Sequence, residues 1–256
     1  MCLILVAKDV HSCYPLIIIA NREEYHSRPT QSLSFWHDHP TIAAGRDLTA
    51  GGTWFGLNLQ GLFAAVTNFQ EPTVTVRSDY SRGMLVLDWL RQKTEPADSH
   101  LRNHDQLQRY PGVNVISGNI TTLWWDSNRA SAPRRIPSGI SGLSNSLLDS
   151  PWHKIVYGKQ LFKTILNRSF RSDTFFELLS NRTPAKGIDA RNSGCSPDLP
   201  AAQSAIFIKG PVYGTRSSTV LLVDQQNQVQ LVERSYDPEG TILGENRLNF
   251  QLQPIA

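Results

Sequence analysis

The chain has 256 residues, 40% of them hydrophobic and 18% charged, with a formal net charge of +3. This is ordinary globular composition with enough length to bury one large core, so the expectation is a single domain over residues 1–256. The charge is small for this length and no run of Lys or Arg forms the stripe that nucleic-acid binding needs, which excludes nucleic acid as the expected partner.

The longest apolar stretch near the start, Tyr14 to Ala20, falls well short of the roughly 20 residues a spanning helix requires. No membrane span and no targeting segment are expected. Cys2, Cys13 and Cys195 are too few and too scattered for a disulfide framework or a zinc site. A reducing compartment, and hence a cytoplasmic location, is the expectation.

In chain order, Leu3 to Ala7 and Leu16 to Ala20 predict an opening hairpin headed by Cys2. The doublet Gly51-Gly52 marks a turn before a second pair, Trp54 to Leu57 and Leu62 to Val66. Ser78 as N-cap, with Met84, Leu85, Leu87 and Leu90, predicts a helix to about Arg91. Val113 to Ile116 and Ile120 to Trp125 predict strands joined by Ser117-Gly118-Asn119. Asp149-Ser150-Pro151 predicts the start of a helix carrying Ile155, Val156, Leu161, Phe162, Ile165 and Leu166, and a shorter helix follows over Thr174 to Leu179. Asn181 to Gln203, rich in Pro, Gly, Ser and Asn, predicts a long flexible loop suited to a pocket lid. Ala205 to Ile208, Thr219 to Val223, Val229 to Val232 and Leu248 to Leu252 predict closing strands. Strands at both ends with helices between them give layered α and β elements, an α+β fold.

Cys2 is the most unusual placement. If Met1 is removed, thiol and α-amino group belong to one residue, and their ordinary pKa values of about 8.5 and about 8 let the amine take the thiol proton near neutral pH. A small apolar residue opening an edge strand is the plainer alternative. Asn21-Arg22-Glu23-Glu24 follows the second strand, where side chains project into a shared opening. An Arg there favours a thiolate and a carboxylate orients the amine or the Arg, whereas a solvated turn would hold the same residues in local ion pairs. Asn68 and Asn145 carry amides able to stabilise an oxyanion, or to cap turns. Arg216, before the strand Thr219 to Val223, could bind a carboxylate or phosphate, or form a surface ion pair. His37-Asp38-His39 lacks a third ligand in any evident motif and reads as a polar loop. His26 and most of the tryptophans read as structural. No metal site is expected.

Asn21-Arg22-Glu23-Glu24 after Met1-Cys2 resembles the signature of the NRDE family. The resemblance extends through Arg28-Pro29-Thr30, Ala44-Gly45-Arg46-Asp47-Leu48, Gly51-Gly52-Thr53-Trp54-Phe55-Gly56, Thr67-Asn68, Gly142-Leu143-Ser144-Asn145-Ser146 and Gly214-Thr215-Arg216-Ser217, and so covers most of the chain. Glu23 departs from it, standing where the family usually has Asp. The family looks like a branch of the N-terminal-nucleophile (Ntn) hydrolase superfamily, which implies a four-layer αββα sandwich of two mostly antiparallel sheets with Cys2 at the pocket mouth. The resemblance makes Cys2, Arg22, Glu23, Asn68, Asn145 and Arg216 the catalytic candidates, and Asn21, Arg22, Glu24 and Arg216 the ligand-binding ones.

Two functions follow as expectations. The first is an intracellular carrier or chaperone for a small amphipathic ligand, haem or an acyl-CoA-like or lipid-like molecule, with haem-donor or acceptor proteins as partners. This is what the resemblance implies. No cofactor is required on this reading, and with no cysteine pair for attachment haem would be a transported ligand held non-covalently. The second is a Cys2-dependent hydrolase of an amide or thioester. A scaffold acting only through protein contacts has little support, because Cys2, Arg22 and Arg216 are all retained.

Overall fold

The computed structural model describes residues 2–71, 80–93, 104–186 and 204–253. Its first strand, β1 (Cys2–Lys8), shows how the sequence builds layers. Successive side chains of a strand point to opposite faces, so Ile4 and Val6 face one way while Leu3, Leu5 and Ala7 face the other, and every one of them is buried. A strand apolar on both faces has to be covered twice.

β1 pairs antiparallel with β2 (Leu16–Tyr25), as the hairpin pattern predicts. Six further strands follow: β3 (Thr30–Phe35), β4 (Ile42–Asp47), β5 (Phe55–Asn58), β6 (Leu62–Asn68), β7 (Val113–Asn119) and β8 (Leu123–Ser127). After the short β9 (Arg134–Arg135) come β10 (Gly139–Leu143), β11 (Tyr213–Val223), β12 (Gln228–Tyr236) and β13 (Ile242–Gln251). They form two antiparallel sheets, ordered β10-β1-β2-β11-β12-β13 and β3-β4-β5-β6-β7-β8-β9. Ile4, Val6 and Ile18 of the first sheet meet Phe63, Ala65 and Ile116 of the second in the central core.

The outer faces are covered by helices. On the first sheet, α2 (His153–Leu166) and α3 (Ser172–Leu179) pack Ile155, Phe162, Phe175 and Phe176 over Leu3, Leu5, Ile17 and Ile19. On the second, α1 (Arg82–Leu90) packs Val86, Leu87 and Leu90 over Ile42, Ala64 and Val66. The result is the expected αββα sandwich. No helix among the described residues is long and apolar enough to cross a membrane.

Several expectations need correction. Ala205 to Ile208 is buried but forms no strand, because its polar backbone is satisfied one group at a time: Asn21 Nδ2 donates to the Ile206 carbonyl (2.8 Å) and Ile208 N–H to Thr215 Oγ1 (2.9 Å). Strand β7 runs on through Ser117 to Asn119, which moves the turn to residues 120–122, where Asn119 Oδ1 accepts the N–H groups of Thr121 and Thr122. Helix α2 starts at His153, since the Asp149 carboxylate that would cap an earlier start is taken by Gly142 N–H (2.9 Å) and Lys159 (2.7 Å). The proposed cap Ser78 and most of the loop Asn181 to Gln203 lie outside the described residues. Asp38 forms a bidentate pair with Arg46, and no cluster of metal-ligating side chains occurs among the described residues.

Candidate active site

Register brings the first two candidates together. Cys2 lies directly opposite Arg22 across the β1–β2 ladder. Both follow the alternation that faces the second sheet, Cys2 with Ile4 and Val6, Arg22 with Ile18 and Ala20, at the end of the sandwich where apolar side chains give out. A cavity of about 470 Å³ opens there, lined by Cys2, Arg22, Glu23, Glu24, Trp54 and Asn68 among others.

The Cys2 backbone is clamped by two polar residues that follow β10, which are held in turn by β6 of the second sheet. Its N–H donates to Asn145 Oδ1 (3.2 Å) and its carbonyl accepts from Ser144 Oγ (2.7 Å). Asn145 Nδ2 donates to the Asn68 carbonyl (2.7 Å), while the Ser144 carbonyl accepts from Thr67 Oγ1 (2.5 Å). Asn145 and Ser144 are buried, so these bonds act where water does not compete. An amide nitrogen has two hydrogens, and the bond to Asn68 uses one of them.

Desolvation dominates the electrostatics. Cys2 is half-buried, yet loss of solvent is still the largest influence on its thiol and pushes its pKa up, against the opposing pulls of the Glu23 backbone N–H and the Arg22 charge. Arg22 is 6% exposed. Burial draws its pKa below the ordinary guanidinium value, yet it remains a cation, held over the Trp54 ring (4.1 Å to the centroid) and donating from Nη1 to Thr30 Oγ1 (3.2 Å). Glu23 is pushed up to about 7 by burial, opposed by the charge of Lys154. Lys154 is itself 1% exposed, and among the described residues neither its Nζ nor either Glu23 carboxylate oxygen has a hydrogen-bond partner.

The structure therefore gathers Cys2, Arg22, Glu23, Glu24 and Asn68 around one cavity, with Asn145 clamping the Cys2 backbone. It sets two candidates elsewhere. Asn21 is fully engaged on the helix side, donating to the Leu179 and Ile206 carbonyls (both 2.8 Å) and accepting from Ser218 Oγ (2.6 Å). Arg216 occupies a bulge in β11 opposite Arg22 and Glu23, and its Nη1 donates to the Tyr25, His26 and Arg28 carbonyls at 2.9–3.2 Å. It fixes the β2–β3 turn and borders a neighbouring chamber, not the Cys2 cavity.

Lys154 and Glu233 escaped the sequence reading, while Trp54, read with the other tryptophans as mostly structural, lines the cavity. Glu233 is 3% exposed, accepts Leu33 N–H (2.8 Å) and is pushed up to about 7 by burial, against the pulls of that N–H and of Arg22. Its signal was present: in Val229, Leu231, Glu233 a charge continues the apolar face of a strand.

The geometry has counterparts among known proteins. The family model for Transport and Golgi organisation 2 matches residues 1–238. The chain is 31% identical over 257 residues to the human Transport and Golgi organization protein 2 homolog, covering 92% of this chain and 93% of the relative. It is 28% identical over 280 residues to the Drosophila melanogaster Transport and Golgi organization protein 2, covering 94% and 95%. Among solved structures it is similar to the C2A mutant of conjugated bile acid hydrolase from Clostridium perfringens, with a TM-score of 0.51 and 10% identity over 100% of this chain and 94% of that one. At that identity the likeness is one of fold, and the fold is that of the Ntn hydrolases. Sequence match and architecture together carry the conclusion that this chain belongs to the Transport and Golgi organisation 2 family.

Proposed function

We propose that the chain is a thiol hydrolase of the Ntn type, acting on an amide or thioester. The observation that carries this reading is the clamp on Cys2: the nitrogen that would become its α-amino group is the one held by Asn145 Oδ1, and its thiol shares a cavity with Arg22. With Met1 removed, Cys2 Sγ attacks the carbonyl carbon as its proton passes to the α-amine, directly or through one water. The carbonyl electron pair moves to oxygen, where the side-chain amide of Asn68, which lines the cavity, stabilises it. Collapse expels the amine or thiol leaving group, which takes the proton from the α-ammonium. Water then attacks the acyl-thioester, gives its proton to the α-amine, and restores the Cys2 thiol as the acid departs.

Burial holds the thiol neutral in the chain with Met1 in place, so activation depends on unmasking the amine. Intact-mass analysis tests this directly. The expected result is loss of Met1 and a covalent acyl adduct on incubation with an activated acyl ester, absent from Cys2→Ala. Full turnover by protein retaining Met1 would refute the mechanism.

The carrier reading keeps one supporting observation: Tyr25, Trp54 and Tyr80 offer flat apolar faces beside Arg22, Arg28 and Arg82 in the same cavity. Against it stand the carboxyl groups of Glu24 and Asp47 in that lining, which suit a small polar reactant better than a macrocycle or an acyl tail. Titration of Cys2→Ala with haem and with acyl-CoA separates the two readings. Tight stoichiometric binding without any adduct on the parent protein would favour carriage.

A further inference from the structure

A second chamber, of about 370 Å³, lies between β3 and the β11–β12–β13 end of the first sheet, and among the described residues only Arg22 lines both it and the Cys2 cavity. Polar side chains in its wall include Ser32 from β3, Arg216 and Ser217 from β11, and Glu233 and Ser235 from β12, while Leu243 of β13 adds an apolar side chain. Two guanidinium groups thus border one small space at the edge of the core. Among the described residues neither is within ion-pairing distance of a carboxylate. Arg22 donates to Thr30 Oγ1, and Arg216 spends Nη1 on three backbone carbonyls. The Nε and Nη2 hydrogens of Arg216 remain for another acceptor.

We propose that this chamber is a subsite for a small oxyanion, a carboxylate or phosphate-type group held between the guanidinium groups of Arg22 and Arg216. Paired N–H groups in a fixed planar fork match two oxygens of such an anion, and the hydroxyls of Ser32, Ser217 and Ser235 supply further donors. Arg22 is destabilised as a cation first by burial; the charge of Glu24 opposes this and the charge of Arg216 adds to it, and an anion between the two guanidinium groups offsets the Arg216 contribution.

Glu233 is the group that could forbid an anion, and its burial decides the matter. With its carboxyl pushed up to about 7, it is an uncharged acid in the chamber below that pH and a repelling carboxylate above it. The groups facing it are Arg22 from β2, Arg216 from β11 and Tyr236 from its own strand, while β3 and β13 present Ser32 and Asn246. None of these changes charge between about pH 6 and pH 8, and Glu23, the other carboxyl pushed up to about 7, does not line this chamber, so binding should weaken over that interval through Glu233. The subsite rests on the chamber and does not require Cys2 to react.

The test is calorimetric titration of the full chain with sulfate, standing for phosphate-type anions, and with propionate, standing for carboxylates. At pH 6 at least one is expected to bind saturably, one per chain, and which of them does so assigns the anion class. Arg216 also holds the β2–β3 turn, so the diagnostic variant is Asn246→Asp, which adds a carboxylate from the exposed strand β13 and should weaken binding at least tenfold. Raising the pH to 8 should weaken binding in the parent but not in Glu233→Gln. Cys2→Ala should bind as the parent does, so that the thiol chemistry and the subsite stand or fall separately. Failure of both anions to bind at pH 6, or binding that Asn246→Asp leaves unchanged, overturns the subsite.

Discussion

Replacing Glu233 with Gln should make the protein more stable at neutral pH, by an amount the site itself sets. The carboxyl is pushed from 4.5 in its unperturbed state to about 7 in the fold. Its folded pKa is raised, so between those values the folded state keeps a proton that the unfolded state has lost, and stability falls as pH rises through the window. A difference of about 2.5 pKa units corresponds to about 3 kcal/mol, present in full above about pH 7 and absent below about pH 4.5. Glu233→Gln keeps an acceptor for Leu33 N–H (2.8 Å) and removes the ionisation. Urea unfolding of parent and variant should therefore give similar stabilities near pH 5 and a gap of about 3 kcal/mol in favour of the variant near pH 8. Glu23, also pushed up to about 7 by burial, adds a parallel decline to both proteins and cancels in the difference. A gap that stays constant with pH, or that favours the parent at pH 8, would refute the reasoning.

Asn145→Ala removes the acceptor for Cys2 N–H and the donor to the Asn68 carbonyl, two bonds in a buried setting, and should cost about 2–3 kcal/mol in urea unfolding. An unchanged midpoint would mean that Ser144 alone holds the start of β1. Gly52→Ala would set a Cβ 2.5 Å from the carbonyl carbon and oxygen of Gly83, both backbone, and so force the first turn of α1 away from the cavity. It should destabilise by about 1–3 kcal/mol and alter the rate of Cys2 alkylation by iodoacetamide, because Arg82 and Gly83 line the site.

What was legible in the sequence followed from local pattern. The apolar runs of β1 and β2, the paired runs of β5 and β6 and the periodic face of α2 declare themselves, since one strand or helix face is enough to show them. Strands β3 and β4 did not. Thr30 to Phe35 is mostly polar, and Ile42 to Asp47 is centred on the small residues Ala43, Ala44 and Gly45, packed by side chains of other elements, as where the Trp54 ring sits against Gly45. The site divides in the same way. Cys2 and Arg22 lie within one hairpin and could be paired on paper, whereas Glu233 and Lys154 reach the site only through sheet order and helix docking.

The block Asn21-Arg22-Glu23-Glu24 looked like one polar cluster facing one opening, and the alternation of β2 divides it. Arg22 continues the face of Leu16, Ile18 and Ala20 toward the second sheet, where it meets Trp54 and separates the two chambers. Asn21 and Glu23 continue the face of Ile17 and Ile19 toward the helices, where Asn21 ties down the end of α3 and Glu23 comes under the charge of Lys154 at the start of α2. The departure from the family's usual Asp acquires a physical meaning here. At a position facing the helix layer, the extra methylene of Glu23 carries the carboxyl further from the strand and deeper among buried groups, which is the direction that raises its pKa. The block therefore works as a two-sided fitting: one side anchors the helix layer beneath Cys2, and the other supplies the cation that the Cys2 cavity and the second chamber share.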